Sequence, residues 1–185
     1  MDFVRASNVR MSFTAFARRA EDLIDWARPA GQWTDSGVIP PPWETRNVEE
    51  ATFLGLEADL SVQGPLETRW TVGGMLLSVD SEEAHGFTSK YALRPLEEQL
   101  NVGVGRAFGD GVTLGVKLQR ANRGGEDPYH RLDVRGGLKL GTTWVYLDAN
   151  NLLNAEFQDI TGALAPGRAL YLGVEVGSGR GGGRD

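Results

Sequence analysis

The chain has 185 residues, enough for one domain with a sizeable core, and a formal net charge of −6. Its acidic balance excludes a protein that binds nucleic acid through a basic surface, and the lack of cysteine excludes disulfide frameworks and thiolate metal sites. No run approaches the roughly 18 apolar residues of a membrane helix, and the first residues show no signal-peptide pattern.

Apolar and polar residues alternate in recurring segments along the chain, which is the pattern of half-buried β-strands. In chain order the alternation predicts strands over 9–17, 54–62, 69–79, 100–105, 112–119, 131–140, 143–150 and 169–176. These are about eight strands of roughly nine or ten residues, the length with which a tilted strand crosses a bilayer. The last strand is the clearest, because every even residue from Leu170 to Val176 is apolar.

The connections between these strands alternate between long and short. The long ones cover 19–50, 80–96, 121–130 and 152–167, and the short ones are QGPLE, FGDG and LGTT. A meander with all its long loops at one end is typical of outer-membrane barrels. A soluble sandwich scatters its loop lengths and uses Greek-key crossovers. The pattern favours a transmembrane barrel and leaves a soluble β-sandwich binding module as an alternative.

The second face of the predicted strands is charged and rich in glycine, as a water-filled or protein-plugged lumen would be. Its charged residues are Arg10, Arg18, Glu57, Asp59, Arg69, Lys117, Asp133, Arg135, Lys139, Asp148 and Glu175. On the apolar face, Trp70 and Phe108 both stand near short turns, where an interfacial aromatic girdle would lie. Trp26, Trp33 and Trp43 fall in the first long loop, where they would contact a ligand or pack the loop.

Patterns of catalysis and metal binding are weak throughout the sequence. His85 and His130 are the only histidines, and their spacing does not suggest a metal pair. No serine stands in a nucleophile-elbow context. The acidic stretches 80–83 and 124–128 are interpreted as solvated loop charge, with cation bridging to lipopolysaccharide as the alternative. We therefore expect no enzyme activity, no metal site and no cofactor.

Several motifs resemble, in their order, the late part of TonB-dependent outer-membrane receptors. The stretches are ARRAEDLIDW (17–26), NVEEATFLGLEADL (47–60) and YALRPLEEQLNVGVGRAF (91–108), then YHRLDVRGGLKL, VYLDANNLLNAEFQDITG and PGRALYLGVEV. The last three resemble the closing strands of vitamin B12 and siderophore receptor barrels. The positions that carry the resemblance, expected to be structural, are Asn47, Gly55, Glu57, Arg131, Asp133, Asn151, Asn154, Pro166, Gly167 and Arg168.

This resemblance implies an all-β, up-and-down antiparallel meander that is an open, partial segment of a transmembrane β-barrel of about 22 strands. It implies a receptor in the outer membrane of a Gram-negative bacterium that imports a scarce nutrient such as a siderophore or cobalamin. The implied partners are outer-membrane lipid and lipopolysaccharide, the remaining barrel and plug domain, TonB through an N-terminal part, and the small nutrient ligand. No nucleic-acid partner is expected.

The resemblance also divides the chain into 1–177, the C-terminal part of the receptor barrel, and 178–185, a Gly/Arg-rich tail. The family usually ends on an aromatic residue used in membrane assembly, whereas this chain continues past Val176 into GSGRGGGRD. An autonomous barrel of about eight strands, with a structural or adhesive role, is the alternative. Such a barrel would need its inward charges to pair, because its interior holds only side chains.

Two structural predictions follow, of which the first separates a membrane barrel from the soluble module and the second separates a partial from an autonomous barrel. The apolar side chains of 132–140 and 170–176 should form one convex, exposed face, with the charged residues Lys117, Asp133, Arg135, Lys139 and Glu175 on the concave side. The strands at 9–17 and 169–176 should have no neighbour on their outer edges, which gives an open, curved sheet. A hydrogen-bond ladder between these two strands would instead favour the autonomous barrel.

Overall fold

A computed structural model of the chain describes residues 2–6, 8–31, 39–81, 86–90, 95–124, 126–160 and 163–177. Those residues form twelve β-strands. Their bounds are β1 Asp2–Ala6, β2 Val9–Pro29, β3 Glu44–Gln63, β4 Thr68–Asp80, β5 Phe87–Ser89, β6 Leu96–Phe108, β7 Val112–Arg123, β8 Tyr129–Leu140, β9 Thr143–Asn150, β10 Gln158–Ile160, β11 Ala163–Leu164 and β12 Ala169–Val176. Within these ranges, no helix is long and apolar enough to cross a membrane.

Ten of the strands form one sheet in the order β1-β2-β3-β4-β6-β7-β8-β9-β12, with β5 paired to the end of β2. All of its pairings are antiparallel. The eight long strands each pair with the next long strand along the chain, which confirms the predicted meander and excludes a Greek-key sandwich. β10 and β11 form a separate two-stranded ribbon within the last long connection.

The long and short connections lie at opposite ends of the sheet, because successive strands run in opposite directions. The short turns cover 64–67, 109–111 and 141–142, and the long connections cover 30–43, 81–95, 124–128 and 151–168. Gly109 and Gly141 lie in short turns with φ of 59° and 65°. Such backbone angles favour glycine, so the sequence of these turns matches their geometry.

β2 and β3 are much longer than the alternation predicts, at 21 and 20 residues. The prediction of a loop over 19–50 is therefore wrong at both ends, since the two strands pair as far as Ala27 and Glu44. Beyond the apolar band the two strands carry charges, and Arg19 Nη2 lies 2.6 Å from Glu50 Oε2. A strand with no apolar face shows no alternation, so its sequence resembles that of a loop.

The expectation that the 9–17 strand has no outer neighbour is also corrected at one end. β1 pairs with 9–12 and β5 pairs with 27–29 on the edge of β2 that faces away from β3. Between these two short strands, 14–24 of β2 has no strand partner on that edge among the described residues, nor has the outer edge of β12. No described ladder joins 9–17 to 169–176, so the sheet is open, as predicted.

One face of the sheet is continuously apolar across the eight long strands. The register places Val72 beside Val102 and Leu147 beside Leu172, with the other alternating apolar residues on the same side. These side chains are half-buried or exposed, and Leu172 retains 73% of its accessible surface. Among the described residues, the buried hydrophobic ones are Ala27, Ala51, Ala121 and Phe157. The apolar face is thus no dry core, and the soluble-sandwich interpretation is wrong.

Candidate functional site

The opposite face of the sheet carries the charged and small residues. The register pairs Lys117 with Asp133 and Arg135 with Asp148. A cavity of about 320 Å³ lies on this polar face, and residues of β4, β6, β7, β8 and β9 line it. This cavity places Lys117, Asp133 and Arg135 on a locally concave part of the polar face, as predicted for these three residues.

Charged groups on the last strands of the polar face pair with one another. Arg131 donates from Nε to Asp133 Oδ1 at 2.8 Å. Arg135 Nε lies 3.5 Å from Asp148 Oδ1, and its guanidinium carbon lies 4.3 Å from the centre of the Tyr146 ring. The Tyr146 hydroxyl donates to Glu175 Oε2 at 3.2 Å. The acids on this part of the face therefore have partners within the sheet.

Asn151 joins three parts of the chain at the long-loop end of β9. It is 3% exposed and has a φ of 51°. Its Oδ1 accepts from the Ala155 amide at 2.9 Å, and its Nδ2 donates to the carbonyls of Ala155 at 2.9 Å and Pro166 at 3.3 Å. The Asn151 amide donates to Asp133 Oδ1 at 2.9 Å. The Asn151 side chain therefore joins the two ends of the last long connection, and its backbone amide attaches them to β8.

Asn154 extends the same network. Its amide donates to the Asn151 carbonyl at 2.8 Å, and its Oδ1 accepts from the Arg168 amide at 3.2 Å. A Cβ added at Gly167 would lie 3.1 Å from that Oδ1, a tight contact. Seven of the ten positions singled out from the sequence meet here, in what we call the loop clamp: Arg131, Asp133, Asn151, Asn154, Pro166, Gly167 and Arg168. Its bonds are internal, so the geometry indicates a structural cluster.

The other three of those positions lie apart on β3. Gly55 is buried beneath the Phe16 ring, and an added Cβ would overlap that ring. Glu57 is exposed, between Thr14 of β2 and Met75 of β4. The remaining one, Asn47, donates from Nδ2 to Asp22 Oδ1 at 3.2 Å, near the long-loop end of the sheet.

A cluster of cations and aromatic rings lies where β2, β3 and β5 meet at the long-loop end. The Arg28 guanidinium carbon lies 4.4 Å from the centre of the Trp43 ring. Lys90 Nζ lies 5.8 Å from the centres of both the Trp26 and Trp43 rings. Trp26 is 47% exposed and belongs to β2, so the prediction that it lies in a loop is wrong. We call this group the loop-end cluster; Trp33 lies outside the described residues.

A second set of contacts supports this cluster. Asp25 is 3% exposed and accepts from the Trp26 amide at 2.7 Å and from the Ser89 hydroxyl. The Arg46 guanidinium carbon lies 3.9 Å from the centre of the Phe87 ring. These contacts attach β5 to the β2–β3 hairpin. Sequence reasoning missed them because β5 has three residues and no alternation; the proximity of tryptophans to basic residues was the available signal.

No metal centre emerges from the sequence candidates. His130 lies inside β8, opposite Arg120 of β7, and His85 lies outside the described residues. Within the part of the chain that the structure describes, no three His, Asp or Glu side chains are placed to hold a metal ion. The acidic stretches are only partly described, because 82–83 and 125 fall outside the described ranges.

Comparison with known proteins gives a result at the level of fold only. No protein-family model matches the chain, and no curated protein matches its sequence. The solved siderophore receptor PirA from Acinetobacter baumannii superposes with a TM-score of 0.66 and 15% identity, over 94% of this chain and 30% of that one. A mutant of the ferric enterobactin receptor PfeA from Pseudomonas aeruginosa superposes with a TM-score of 0.66 and 15% identity, over 94% of this chain and 29% of that one. The FrpB iron transporter from Neisseria meningitidis superposes with a TM-score of 0.64 and 16% identity, over 94% of this chain and 29% of that one.

The chain therefore has the fold of part of such a receptor, and it spans about 30% of the length of the structures that it matches. The three similar proteins are a siderophore receptor, a ferric enterobactin receptor and an iron transporter by name. All three are transport proteins, and none is named as an enzyme.

Proposed function

We propose that this chain forms part of the wall of a TonB-dependent receptor in the outer membrane of a Gram-negative bacterium. The observation that carries the proposal is a continuous, exposed apolar face on an open meander whose other face is concave and charged. In water such an apolar surface would be a strong aggregation liability, whereas lipid would cover it at no cost. The likeness in fold to iron and siderophore receptors supports the same conclusion.

The aromatic residues at the short-turn end agree with this placement. Trp70 and Phe108 lie on neighbouring strands of the apolar face, 52% and 45% exposed. Rings at the end of an apolar band suit the boundary between acyl chains and headgroups. The short turns would then face the periplasm, and the long connections, with β2 and β3 projecting beyond the band, would face outward to lipopolysaccharide and medium.

The remaining partners of the receptor are proposed from the open sheet. Among the described residues, the outer edges of β12 and of 14–24 in β2 have no strand partner, and lipid cannot satisfy backbone groups there, so further barrel strands would pair with them. A plug within the barrel and contact with TonB through a separate segment follow from the proposed family. The loop clamp and the β3 positions Asn47, Gly55 and Glu57 would be structural elements of this wall.

For the imported nutrient, we favour a ferric siderophore over cobalamin. The loop-end cluster presents Arg28 and Lys90 beside the rings of Trp26 and Trp43 at the proposed external end. Cations beside aromatic rings suit an anionic ligand with flat aromatic groups. Iron and siderophore uptake by the three similar proteins agrees with that chemistry.

Uptake in the source bacterium tests this function. The tagged product should be found in outer-membrane fractions. Deleting its gene should lower uptake of radiolabelled iron supplied as a siderophore complex. Arg28→Gln should lower uptake at least about threefold, because it removes one cation–ring pair of the cluster. Lys139→Gln is the matched control, since Lys139 Nζ lies 6.0 Å from the Trp144 ring at the other end of the sheet. Equal uptake in the deletion strain, with cobalamin uptake lost instead, would reverse the choice of nutrient.

A further inference from the structure

The floor of the cavity on the polar face is made of glycine. Gly105 of β6 lies opposite Gly115 of β7, with Gly103 two residues away on the same face. In the same cross-strand row, Arg69 of β4 lies opposite Gly105, and Arg135 of β8 lies opposite Gly115. The cavity is thus a trough two strands wide, with an arginine on each side and half-buried main chain without side chains between them. Glycine at such positions allows another backbone to approach closely.

The trough holds more positive charge than its acids neutralise. Asp133 is bonded to Arg131 and to the Asn151 amide, and Asp148 lies beside Arg135. Arg69 and Lys117 also line the trough, and neither forms an ion pair with a described residue. With its side-chain amide oriented to satisfy its hydrogen bonds, Gln63 accepts from Arg69 Nε at 3.0 Å and Nη2 at 2.7 Å, and this partner is neutral. Two cations therefore remain available to an incoming anion.

These two cations are spaced to act on one group. Arg69 and Lys117 lie two strands apart, roughly 10 Å in the hydrogen-bonding direction, and two residues apart along the strands, about 7 Å. Both are exposed, and both side chains are long enough to reach over the glycine floor between them. A carboxylate at that place would accept from both side chains in charge-assisted hydrogen bonds.

A buried acceptor in the same trough indicates what else the occupant carries. Asn101 lines the trough, and its Oδ1 is buried without a hydrogen-bond partner. A buried polar atom without a partner is costly, so an N–H donor is expected opposite it. A bare anion supplies no donor. A peptide supplies both, a carboxylate from an acidic side chain and an N–H from its backbone.

We propose that the trough receives an Asp or Glu side chain of a protein segment packed against the concave face. Its carboxylate lies between Arg69 and Lys117, and a neighbouring backbone N–H donates to Asn101 Oδ1. The volume of about 320 Å³ is near the lower end of small-molecule pockets, about 300–1,000 Å³, and suits one or two residues of a segment. This inference rests on the proposed function, because only a wider barrel leaves room for such a segment inside.

Zero-length crosslinking in isolated outer membranes tests the inference. A carbodiimide joins an amine to a carboxylate in direct contact, and digestion followed by mass spectrometry identifies both peptides. The expected product is an amide between Lys117 and an Asp or Glu outside the described sheet. Lys117→Arg should abolish it, and Arg69→Gln should lower its yield at least about threefold, since the carboxylate loses one of its two donors. Lys139→Arg and Arg10→Gln, on the same face outside the trough, are the matched controls and should leave the yield unchanged.

Three results would overturn the inference. In the first, Lys117 is crosslinked only to acids of its own sheet, such as Asp133. In the second, Arg69→Gln leaves the crosslink yield unchanged. In the third case, no peptide is crosslinked to Lys117, and added inorganic phosphate or a small carboxylic acid protects its amine from acylation. That result would assign the trough to a free anion. If the unaltered chain lies in the outer membrane and supports iron uptake but forms no crosslink at Lys117, the trough alone is refuted. Absence of the chain from the outer membrane refutes the proposed function and, with it, the inference.

Discussion

Asn151 stands at a backbone position and in a hydrogen-bond network that few residues satisfy together. Its φ of 51° is in the left-handed region, which asparagine tolerates better than most residues. Both the oxygen and the nitrogen of its side-chain amide form hydrogen bonds, to Ala155 and Pro166, while its backbone amide donates to Asp133. The clamp thus depends on one residue for conformation and for bonding.

Replacing Asn151 with Ala should therefore destabilise the last long connection. The change leaves the Ala155 amide and two carbonyls without their partner and places alanine at positive φ, a loss of about 2–4 kcal/mol. Limited proteolysis of outer membranes should cut within 155–165 much faster than in the wild type. Asn150→Ala, one residue earlier on the polar face, is the control and should leave the rate near that of the wild type. Equal cutting of all three proteins would show that Asn151 does not hold the loop.

The contact between Gly55 and Phe16 gives a second prediction at this scale. A Cβ at 55 would overlap the Phe16 ring, so Gly55→Ala should lower the urea midpoint of the assembled receptor by the equivalent of about 1–3 kcal/mol. Phe16→Ala combined with Gly55→Ala should be less destabilising than the sum of the single changes, because the clash is then absent. Gly136→Ala is the control, since an added Cβ there has no atom within 4 Å. Additive losses would contradict the contact.

At the scale of the elements, the sequence predicts only the strands in which apolar and polar residues alternate. The eight long strands were predictable because one of their faces is apolar and the other polar. The long-loop ends of β2 and β3 were not predictable from alternation. There, residues such as Arg19 and Glu50 carry charge, because neither face needs to be apolar. The three residues of β5 and the five of β1 are too short for any period to show.

The candidate sites divide in the same way. The residues of the loop clamp were recognisable from Asn151, Asn154 and the Pro166–Gly167 turn, because asparagine, proline and glycine mark special backbone positions. The loop-end cluster was not, since Trp26 and Arg28 belong to β2 whereas Trp43 precedes β3 and Lys90 follows β5, and only the fold joins them. Cation–ring contacts between distant segments leave no spacing in a sequence.

A charge on either face of β12 should have opposite consequences. Leu172 lies on the apolar face opposite Leu147, whereas Tyr171 lies on the polar face opposite Asp148. An arginine on a lipid-facing strand costs about 2–4 kcal/mol at the middle of the bilayer. Leu172→Arg should therefore reduce the amount of tagged chain in outer-membrane fractions severalfold, and Tyr171→Arg should leave it close to wild type. Equal losses from the two variants would refute the assignment of faces.

At the scale of the whole molecule, the open sheet sets the limit on independent stability. Among the described residues, no strand pairs with the outer edge of β12 or with 14–24 of β2. In lipid each such group costs several kcal/mol, and in water an open edge pairs with other chains. The fold therefore requires additional strands to be stable in a membrane.

Expressed by itself, the chain should accumulate as inclusion bodies. After refolding in detergent, it should show no heat-modifiable folded band in electrophoresis, because the sheet has no closing partner. A parallel sample of an intact outer-membrane barrel is the control for the refolding conditions. A monodisperse, heat-modifiable monomer would show that β12 pairs with β2 and would favour the autonomous barrel of about eight strands.

Cysteine labelling in native outer membranes tests the central claim most directly, because the chain has no cysteine of its own. Single cysteines at 170, 172 and 174 on one face of β12, and at 171, 173 and 175 on the other, would be exposed to a water-soluble and to a lipid-soluble maleimide. If the apolar face lies in lipid, the even positions should react only with the lipid-soluble reagent, and the odd positions should not react with it. Labelling of the even positions by the water-soluble reagent, or no alternation along the strand, would contradict it.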